Sequence, residues 1–179
     1  MWGLPVLDAD QVARGLTAPG GAAHRAVIEA FPHAVGADGS LDRTALRRHI
    51  ASDQAARRRL EALTHPLIRN AIVVWLEAQR EQGHRVAVVE AALIVEAGQR
   101  AAYDALLVVA VSPDVQRARL QARDGTDDAT AAGLIAAQAP QAAKIAVATT
   151  VWWNDGDLEA LHAKVDAWAR PFATSGAAT

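Results

Sequence analysis

Apolar residues follow two different spacings along the chain, and these spacings predict where the strands and helices lie. Short continuous runs rich in valine are typical of parallel strands that are buried on both faces. Runs of this kind occur at Pro5–Asp8, Arg85–Ala91, Leu106–Val111 and Thr149–Trp153. Elsewhere, apolar positions recur about every three to four residues, which is typical of amphipathic helices. Strands that alternate with helices predict an α/β fold with a doubly wound parallel sheet.

Capping and breaking residues mark the ends of the predicted helices. Asp42 is a predicted N-cap, because an aspartate just before a helical pattern can accept hydrogen bonds from the amides of the first turn. The predicted helices cover residues 10–16, 22–31, 42–50, 53–82, 112–123, 126–138, a segment from Pro140, and 157–168. Pro66 is expected to interrupt or kink the longest of them, because proline lacks a backbone donor and clashes with the preceding turn.

Composition excludes several classes of function. The formal net charge of -2 provides no broad basic surface, so binding to nucleic acid or to an anionic membrane is not expected. The chain has no cysteine, which excludes disulfides, thiolate zinc sites and a cysteine nucleophile. No apolar run approaches the ~20 residues of a membrane span, and the N-terminus lacks the features of a signal peptide. These properties predict a soluble cytoplasmic protein.

Several stretches, taken together and in order, resemble the dephospho-coenzyme A kinase family. They are "VLDADQVAR" at 6–14, "DGSLDRTALRRHI" at 38–50, "RRRLEALTHPLI" at 57–68, "ALIVE" at 92–96, "LLVVAVSPDVQRARLQARDG" at 106–125 and "IAAQAPQAAKIAVATTVWWNDG" at 135–156. No single stretch is specific, but the ordered set is, and it extends from Pro5 to about Trp168.

The resemblance implies a three-layer P-loop kinase-like fold. Its α/β core would comprise residues 1–16 and 83–170, with a small lid at about 124–147 and a helical acceptor-substrate domain at 17–82; the tail at 171–179 is expected to be disordered. Members of the family transfer the γ-phosphate of ATP, with Mg²⁺, to the ribose 3′-hydroxyl of dephospho-coenzyme A. This reaction is the last step of coenzyme A synthesis.

The resemblance also implies roles for particular residues. Asp10 would be the base for the acceptor hydroxyl, and Arg119 would stabilise charge on the transferred group as a second catalytic residue. Residues expected to bind the acceptor are Asp8, Arg43, Arg47 and His65, and residues expected to bind the nucleotide are Arg123 and Asn154. An arginine suits a pyrophosphate because it offers parallel donors to two oxygens.

Each of these residues also has a simpler interpretation. Asp8 and Asp10 could merely cap the following helix, and His65 could be a helix-capping histidine. The arginines could form solvated helix faces, with Arg119 and Arg123 as an i,i+4 pair on the outside of a helix. No cluster of residues has the spacing of metal ligands.

The sequence departs from the family in one conspicuous respect. The phosphate-binding pattern GxxxxGK[ST] occurs nowhere in the 179 residues, and the two lysines, Lys144 and Lys164, follow no such loop. The first strand, the loop and the following helix of the family are therefore expected to be absent, which would leave the sheet without its central strand. Gln141 also stands where a lid arginine is common, and Thr149, Thr150 and Trp153 stand where acidic residues are usual.

Three hypotheses follow from this combination. The first is a dephospho-coenzyme A kinase-like pseudoenzyme, inactive or severely impaired as a polypeptide of these residues, for which ATP and Mg²⁺ would have no cradle. The second is a truncated form of an active kinase. The third is a non-catalytic module that binds coenzyme A or dephospho-coenzyme A, or a protein partner, or self-associates at the incomplete sheet.

Overall fold

A computed structural model describes residues 3–125, 127–136 and 138–172 of the chain. By contacts between residues, the chain divides into two compact units, one covering residues 3–91 and the other beginning at residue 92. Within the described ranges, no helix is long and apolar enough to cross a membrane.

The first unit combines a strand pair with a set of helices. In chain order it contains β1 (Val6–Asp8), α1 (Ala9–Thr17), α2 (His24–Ala30), a 3₁₀ turn (Pro32–Ala34), α3 (Arg43–Ser52), α4 (Gln54–Glu81) and β2 (Val88–Glu90). β1 and β2 are parallel, with Val6 opposite Val88. α1, α2 and α3 all pack against the long helix α4.

Aspartates begin three of these helices. Asp8, Asp42 and Asp53 each accept two hydrogen bonds from backbone N–H groups of the helix that follows. These hydrogen bonds satisfy backbone N–H groups of the first helical turn that have no partner inside the helix. The predicted N-cap at Asp42 is confirmed. Between the helices, the core is built from small and apolar side chains, among which Val27 and Phe31 are fully buried.

The turn between α1 and α2 depends on a glycine. A Cβ atom on Gly21 would lie 2.4 Å from the carbonyl oxygens of both Gly15 and Leu16, so only glycine allows this close approach of the two backbone segments. The Ala23 amide then donates to the Leu16 carbonyl, which joins the start of α2 to the end of α1.

Pro66 does not interrupt α4. The helix is continuous from Gln54 to Glu81 with Pro66 inside it, so the expectation of an interruption was wrong, and the alternative of a kink at Pro66 stays a prediction. The chain tolerates the lost donor because α1, α2 and α3 pack along α4 and stabilise it through tertiary contacts.

The second unit contains the other strand pair. Its elements are a 3₁₀ turn (Arg100–Ala102), β3 (Leu107–Ala110), α5 (Pro113–Asp124), α6 (Asp128–Ala136), α7 (Gln141–Ala146), β4 (Thr150–Trp153), α8 (Leu158–Ala169) and a 3₁₀ turn (Arg170–Phe172). β3 and β4 are parallel, and their register places Leu107 opposite Thr150 and Ala110 opposite Trp153. Trp152 contacts Trp168 of α8 edge to face, and Trp168 in turn contacts Phe172.

The α/β class and all four predicted strands are confirmed, although each strand is shorter than its apolar run. The strands pair as two two-stranded sheets, and this arrangement does not show that a central strand is missing. The predicted partition into a core, a lid and an acceptor-substrate domain at 17–82 stays a prediction; in the structure, α1 packs on α2 and α4. Pro171 and Phe172, the first residues of the predicted tail, belong to the 3₁₀ turn Arg170–Phe172. Residues 173–179 of that tail lie outside the described part of the chain. Residues 126 and 137 of the predicted sixth helix lie outside it as well.

Candidate active site

Two aspartates lie where β1 passes into α1, and they have different roles. Asp8 Oδ1 accepts hydrogen bonds from the backbone nitrogens of Asp10, at 2.8 Å, and Gln11, at 3.1 Å. Asp8 is therefore the N-cap of α1, as its simpler interpretation had it. Asp10 lies in the first turn of α1, and its exposed carboxylate has no partner among the described residues. A free carboxylate at the carboxyl end of a parallel strand is available to accept a proton from a ligand.

Arg43 reaches the same helix from the start of α3. Its Nη2 donates to the Arg14 carbonyl oxygen at 2.9 Å and to Thr17 Oγ1 at 3.1 Å. Asp10 and Thr17 are seven residues apart, so their side chains share one face of α1 and lie roughly 10 Å apart along its axis. The structure thus brings the guanidinium of Arg43 to the face of α1 that carries Asp10.

The two remaining acceptor-site predictions are less closely connected to this face. Arg47 follows Arg43 by one turn of α3 and is exposed, and its guanidinium makes no hydrogen bond to a described residue. Its position gives α3 two arginines on one face. His65 is half-buried in α4. Among the described residues, no hydrogen bond or ring contact joins its side chain to Asp10 or to Arg43.

In the second unit, Arg119 of α5 holds the loop that follows β4. Its Nη1 donates to the Asn154 carbonyl oxygen at 2.7 Å, and its Nη2 donates to the Gly156 carbonyl oxygen at 3.0 Å. Lys164 Nζ donates to the carbonyl oxygen of Trp153, the last residue of β4, and Asp155 Oδ1 in the loop accepts from the Ser112 backbone nitrogen at 2.6 Å. Side chains of Arg119 and Lys164 therefore hold backbone carbonyl groups at the end of β4 and in the loop after it.

The two predicted nucleotide-binding residues have different surroundings. Arg123 forms a two-point ion pair with Asp124, Nε to Oδ1 at 2.7 Å and Nη2 to Oδ2 at 3.0 Å. These hydrogen bonds raise the pKa of the Arg123 guanidinium above its ordinary value. Asn154 uses its backbone, because its N–H donates to the Ala110 carbonyl oxygen and its own carbonyl accepts from Arg119. Its side-chain amide has no partner in the described residues.

Sequence reasoning missed a polar cluster around α7. Lys144 Nζ lies 2.9 Å from Glu96 Oε1, and that oxygen also accepts from the Ala139 amide at 3.1 Å. The side chains of Lys144 and Glu96 are only 18% and 21% exposed. The rarity of lysine in this arginine-rich chain was the one signal that could have drawn attention to Lys144.

Across residues 3–125, 127–136 and 138–172, no group of three or more histidine, aspartate or glutamate side chains is arranged to hold a metal ion.

Known proteins resemble the chain over most of its length. The family model described as "Dephospho-CoA kinase" matches residues 1–160. A dephospho-CoA kinase of Geobacter sulfurreducens is 41% identical over 172 residues, which cover 95% of this chain and 87% of the relative. The crystal structure of TT1252 from Thermus thermophilus matches with a TM-score of 0.76 and 31% identity, covering 95% of this chain and 85% of that one.

A dephospho-CoA kinase from Campylobacter jejuni matches with a TM-score of 0.67 and 18% identity, over 96% of this chain and 86% of that one, and this shows likeness of fold. The family match begins at residue 1, so it gives no support to the expected absence of the family's first strand and phosphate loop. That expectation stays a prediction.

Proposed function

The chain belongs to the dephospho-coenzyme A kinase family, and we propose that it serves the transfer of the γ-phosphate of ATP to the 3′-hydroxyl of dephospho-coenzyme A. The observation that carries this proposal is the free carboxylate of Asp10 on the same face of α1 that the guanidinium of Arg43 reaches. One group can accept a proton, and the other can bind an anion, a short distance away on one helix.

In the proposed reaction, Asp10 acts on the acceptor. The 3′-hydroxyl oxygen forms a bond to the γ-phosphorus while the bond from that phosphorus to the β,γ-bridging oxygen breaks and ADP leaves. The hydroxyl proton passes to the Asp10 carboxylate. Because this proton is transferred late in phosphoryl transfer, positioning and charge neutralisation supply most of the rate, and the base adds a further factor.

The acceptor would be held by the arginines of α3. Arg43 uses Nη2 on α1, which leaves its Nε and Nη1 donors without a partner in the described residues. The guanidinium of Arg47 has no partner in the described residues, and Arg47 lies one turn from Arg43 on the same face of α3. Together they supply the parallel donors and positive charge that suit the pyrophosphate of dephospho-coenzyme A. The roles proposed for Asp8 and His65 are secondary to these, since Asp8 is occupied as a helix cap.

On the nucleotide side, we assign Arg123 and the side-chain amide of Asn154 to ATP, with Arg119 as the residue that positions the Asn154 loop. The hydrogen bonds from Arg119 to two carbonyl oxygens of that loop support this role more directly than a role in charge stabilisation. Mg²⁺ would enter with ATP, and no residue of the described chain is assigned to it.

We also propose that the phosphoryl transfer is slow in a polypeptide of this sequence. A polypeptide of these 179 residues is expected to turn over slowly, because no GxxxxGK[ST] loop within them can bind the β- and γ-phosphates. Slow turnover with intact binding of dephospho-coenzyme A would be the behaviour of an impaired kinase-like protein. A cytoplasmic location would suit a role in coenzyme A synthesis.

The test combines an ADP-release assay with calorimetry. The purified polypeptide is assayed with ATP, Mg²⁺ and dephospho-coenzyme A, and Asp10→Asn is expected to lower the measured rate by roughly 100-fold or more while leaving dephospho-coenzyme A binding intact. Asp104→Asn is the matched control, because Asp104 is exposed in the other unit and its side chain has no partner among the described residues.

Three outcomes are informative. Turnover at an ordinary kinase rate would support the reaction and refute the impaired-enzyme part. Slow turnover that depends on Asp10 would support both parts. Absence of both turnover and dephospho-coenzyme A binding would overturn the proposal and leave an interaction module.

A further inference from the structure

The side chain of Gln141 pairs with the backbone of Val111 in both directions. The Val111 N–H donates to Gln141 Oε1 at 3.2 Å, and Gln141 Nε2 donates to the Val111 carbonyl oxygen at 2.8 Å. Val111 is the first residue after β3, and Gln141 is the first residue of α7. One carboxamide therefore satisfies both backbone groups of a residue at the carboxyl end of a strand.

The direction of these bonds shows which side of β3 Gln141 covers. The Leu106 carbonyl oxygen accepts from the backbone N–H groups of Thr149 and Thr150, and the Ala110 carbonyl oxygen accepts from the backbone N–H of Asn154, so both point toward β4 and its flanks. Successive residues of a strand direct their backbone groups to opposite sides, so Val111 directs its own groups away from β4. Gln141 occupies this other side and acts there as a neighbouring strand would.

Val111 stands between two residues that are tied to the Asn154 loop. The Ala110 carbonyl oxygen accepts from the backbone N–H of Asn154 at 2.8 Å, and the backbone N–H of Ser112 donates to Asp155 Oδ1 at 2.6 Å. The three consecutive residues 110–112 are thus held by Asn154, Gln141 and Asp155. A shift of Val111 would be transmitted directly to both loop contacts.

Gln141 is itself held in place from its own helix. Lys144, one turn further along α7, pairs with Glu96, and Glu96 also accepts the Ala139 amide just before α7. Lys144 also donates to the Gln138 side chain at 3.2 Å. These contacts fix both ends of the segment that carries Gln141.

We infer that Gln141 is a positioning residue for the nucleotide site, acting through Val111 on the loop that carries Asn154. The inference rests on the proposed function, since that function assigns Asn154 to ATP. The sequence suggested only that Gln141 replaces a lid arginine. In the structure, Gln141 makes a contact with the backbone of Val111, and that contact requires a side chain that both donates and accepts hydrogen bonds.

The experiment uses the whole 179-residue chain and two substitutions at this position. Gln141→Glu keeps the size of the side chain but removes the donor and sets a carboxylate against the Val111 carbonyl. Gln141→Met keeps the length and removes both hydrogen bonds, and it serves if the glutamate variant fails to fold. Gln79→Glu is the matched control, because Gln79 is a half-buried glutamine of α4 whose side chain has no partner in the described residues.

Hydrogen exchange and ligand binding are measured on each variant. We expect the amides of Val111, Ser112 and Asn154 to exchange about tenfold faster in Gln141→Met, with the α8 amides unchanged; the rise should be smaller in Gln141→Glu, whose carboxylate can still accept from the Val111 N–H. We expect the affinity for Mg²⁺–ADP to fall about tenfold, since misplacing Asn154 removes its contact with the nucleotide. The affinity for dephospho-coenzyme A should stay as in wild type.

The possible failures are distinguishable. Unchanged exchange at Val111 in Gln141→Met would overturn the contact, and faster exchange with unchanged ADP affinity would overturn the positioning role. A loss of affinity for both ligands would indicate a merely structural role and would also overturn it. A wild-type chain that binds no Mg²⁺–ADP would overturn the proposed nucleotide site and the positioning role together. In that case, the exchange rate of the Val111 amide would still decide whether Gln141 contacts Val111.

Discussion

Arg43 Nη2 donates a hydrogen bond of 3.1 Å to Thr17 Oγ1, and the Thr17 hydroxyl in turn donates to the Ala13 carbonyl oxygen at 2.8 Å. The start of α3 is thereby joined to the last turn of α1, where carbonyl groups lack partners inside the helix. Thr17 is buried, and Arg43 remains exposed above it.

This relationship allows the structural role of Arg43 to be separated from its proposed role in ligand binding. Arg43→Ala and Thr17→Val both remove the contact, so each should lower the free energy of unfolding by about 1 kcal/mol. Only Arg43→Ala removes the guanidinium, and it should weaken dephospho-coenzyme A binding by about tenfold or more, measured by calorimetry. Equal weakening in the two variants would show that Arg43 does not contact the acceptor. Arg48→Ala, an exposed arginine of the same helix, is the control.

Two glycines near the end of α1 should respond to alanine in opposite directions. Gly21→Ala would place a Cβ atom 2.4 Å from two carbonyl oxygens, so the backbone must move, and we expect a loss of about 2–3 kcal/mol in the free energy of unfolding. Gly15→Ala meets nothing within 4 Å and should stabilise α1 by about 0.5–1 kcal/mol. Denaturant titration of both variants measures the difference, and a neutral Gly21→Ala would show that the α1–α2 turn is not as close as described.

The pair of Glu96 and Lys144 should contribute stability that depends on pH. Partial burial acts to raise the pKa of the Glu96 carboxyl, but hydrogen bonds from Lys144 and from backbone amides outweigh it and hold the pKa below its usual 4.5. A depressed pKa means that the contribution is present above the unfolded-state value and is lost as the pH falls through the folded-state value.

Comparison of wild type with Glu96→Gln isolates this contribution. We expect wild type to be more stable by about 1–3 kcal/mol at pH 7 and the difference to shrink as the pH falls below 4.5 and through the folded-state pKa of Glu96, as measured by urea titrations at each pH. A difference that does not change with pH would contradict the assignment. Glu77→Gln, at an exposed site on α4, should show no such difference.

Arg119 should not be replaceable by lysine. Its fork spans the carbonyl oxygens of Asn154 and Gly156, and a single ammonium cannot reproduce this two-point contact. We expect Arg119→Lys to speed amide exchange in residues 154–156 and to weaken Mg²⁺–ADP binding several-fold. Arg117→Lys on the same helix is the matched control, because among the described residues the Arg117 side chain makes only an exposed ion pair with Asp128, at 3.5 Å, where charge is sufficient. Similar effects of the two changes would argue against the loop-holding role.

The sequence predicted the local features of the fold better than the contacts that organise the site. The valine runs located β1 to β4, and Asp42 was recognised as a cap, because both depend on neighbours in the chain. The contacts of Arg119 with Gly156 and of Gln141 with Val111 join residues 37 and 30 positions apart, and no local pattern encodes such partners. Pro66 shows the converse case, since a correct local rule was outweighed by packing around α4.

The edge-to-face contact of Trp152 and Trp168, with ring centroids 6.1 Å apart, makes the second unit optically distinctive. Two indoles at this separation couple their electronic transitions, so the native chain should show an exciton couplet in its far-ultraviolet circular dichroism. The couplet exists only while α8 is docked on β4, whereas the helical signal persists wherever helices survive. A melting curve followed at both bands would therefore report, without any label, whether α8 undocks before the helices unfold.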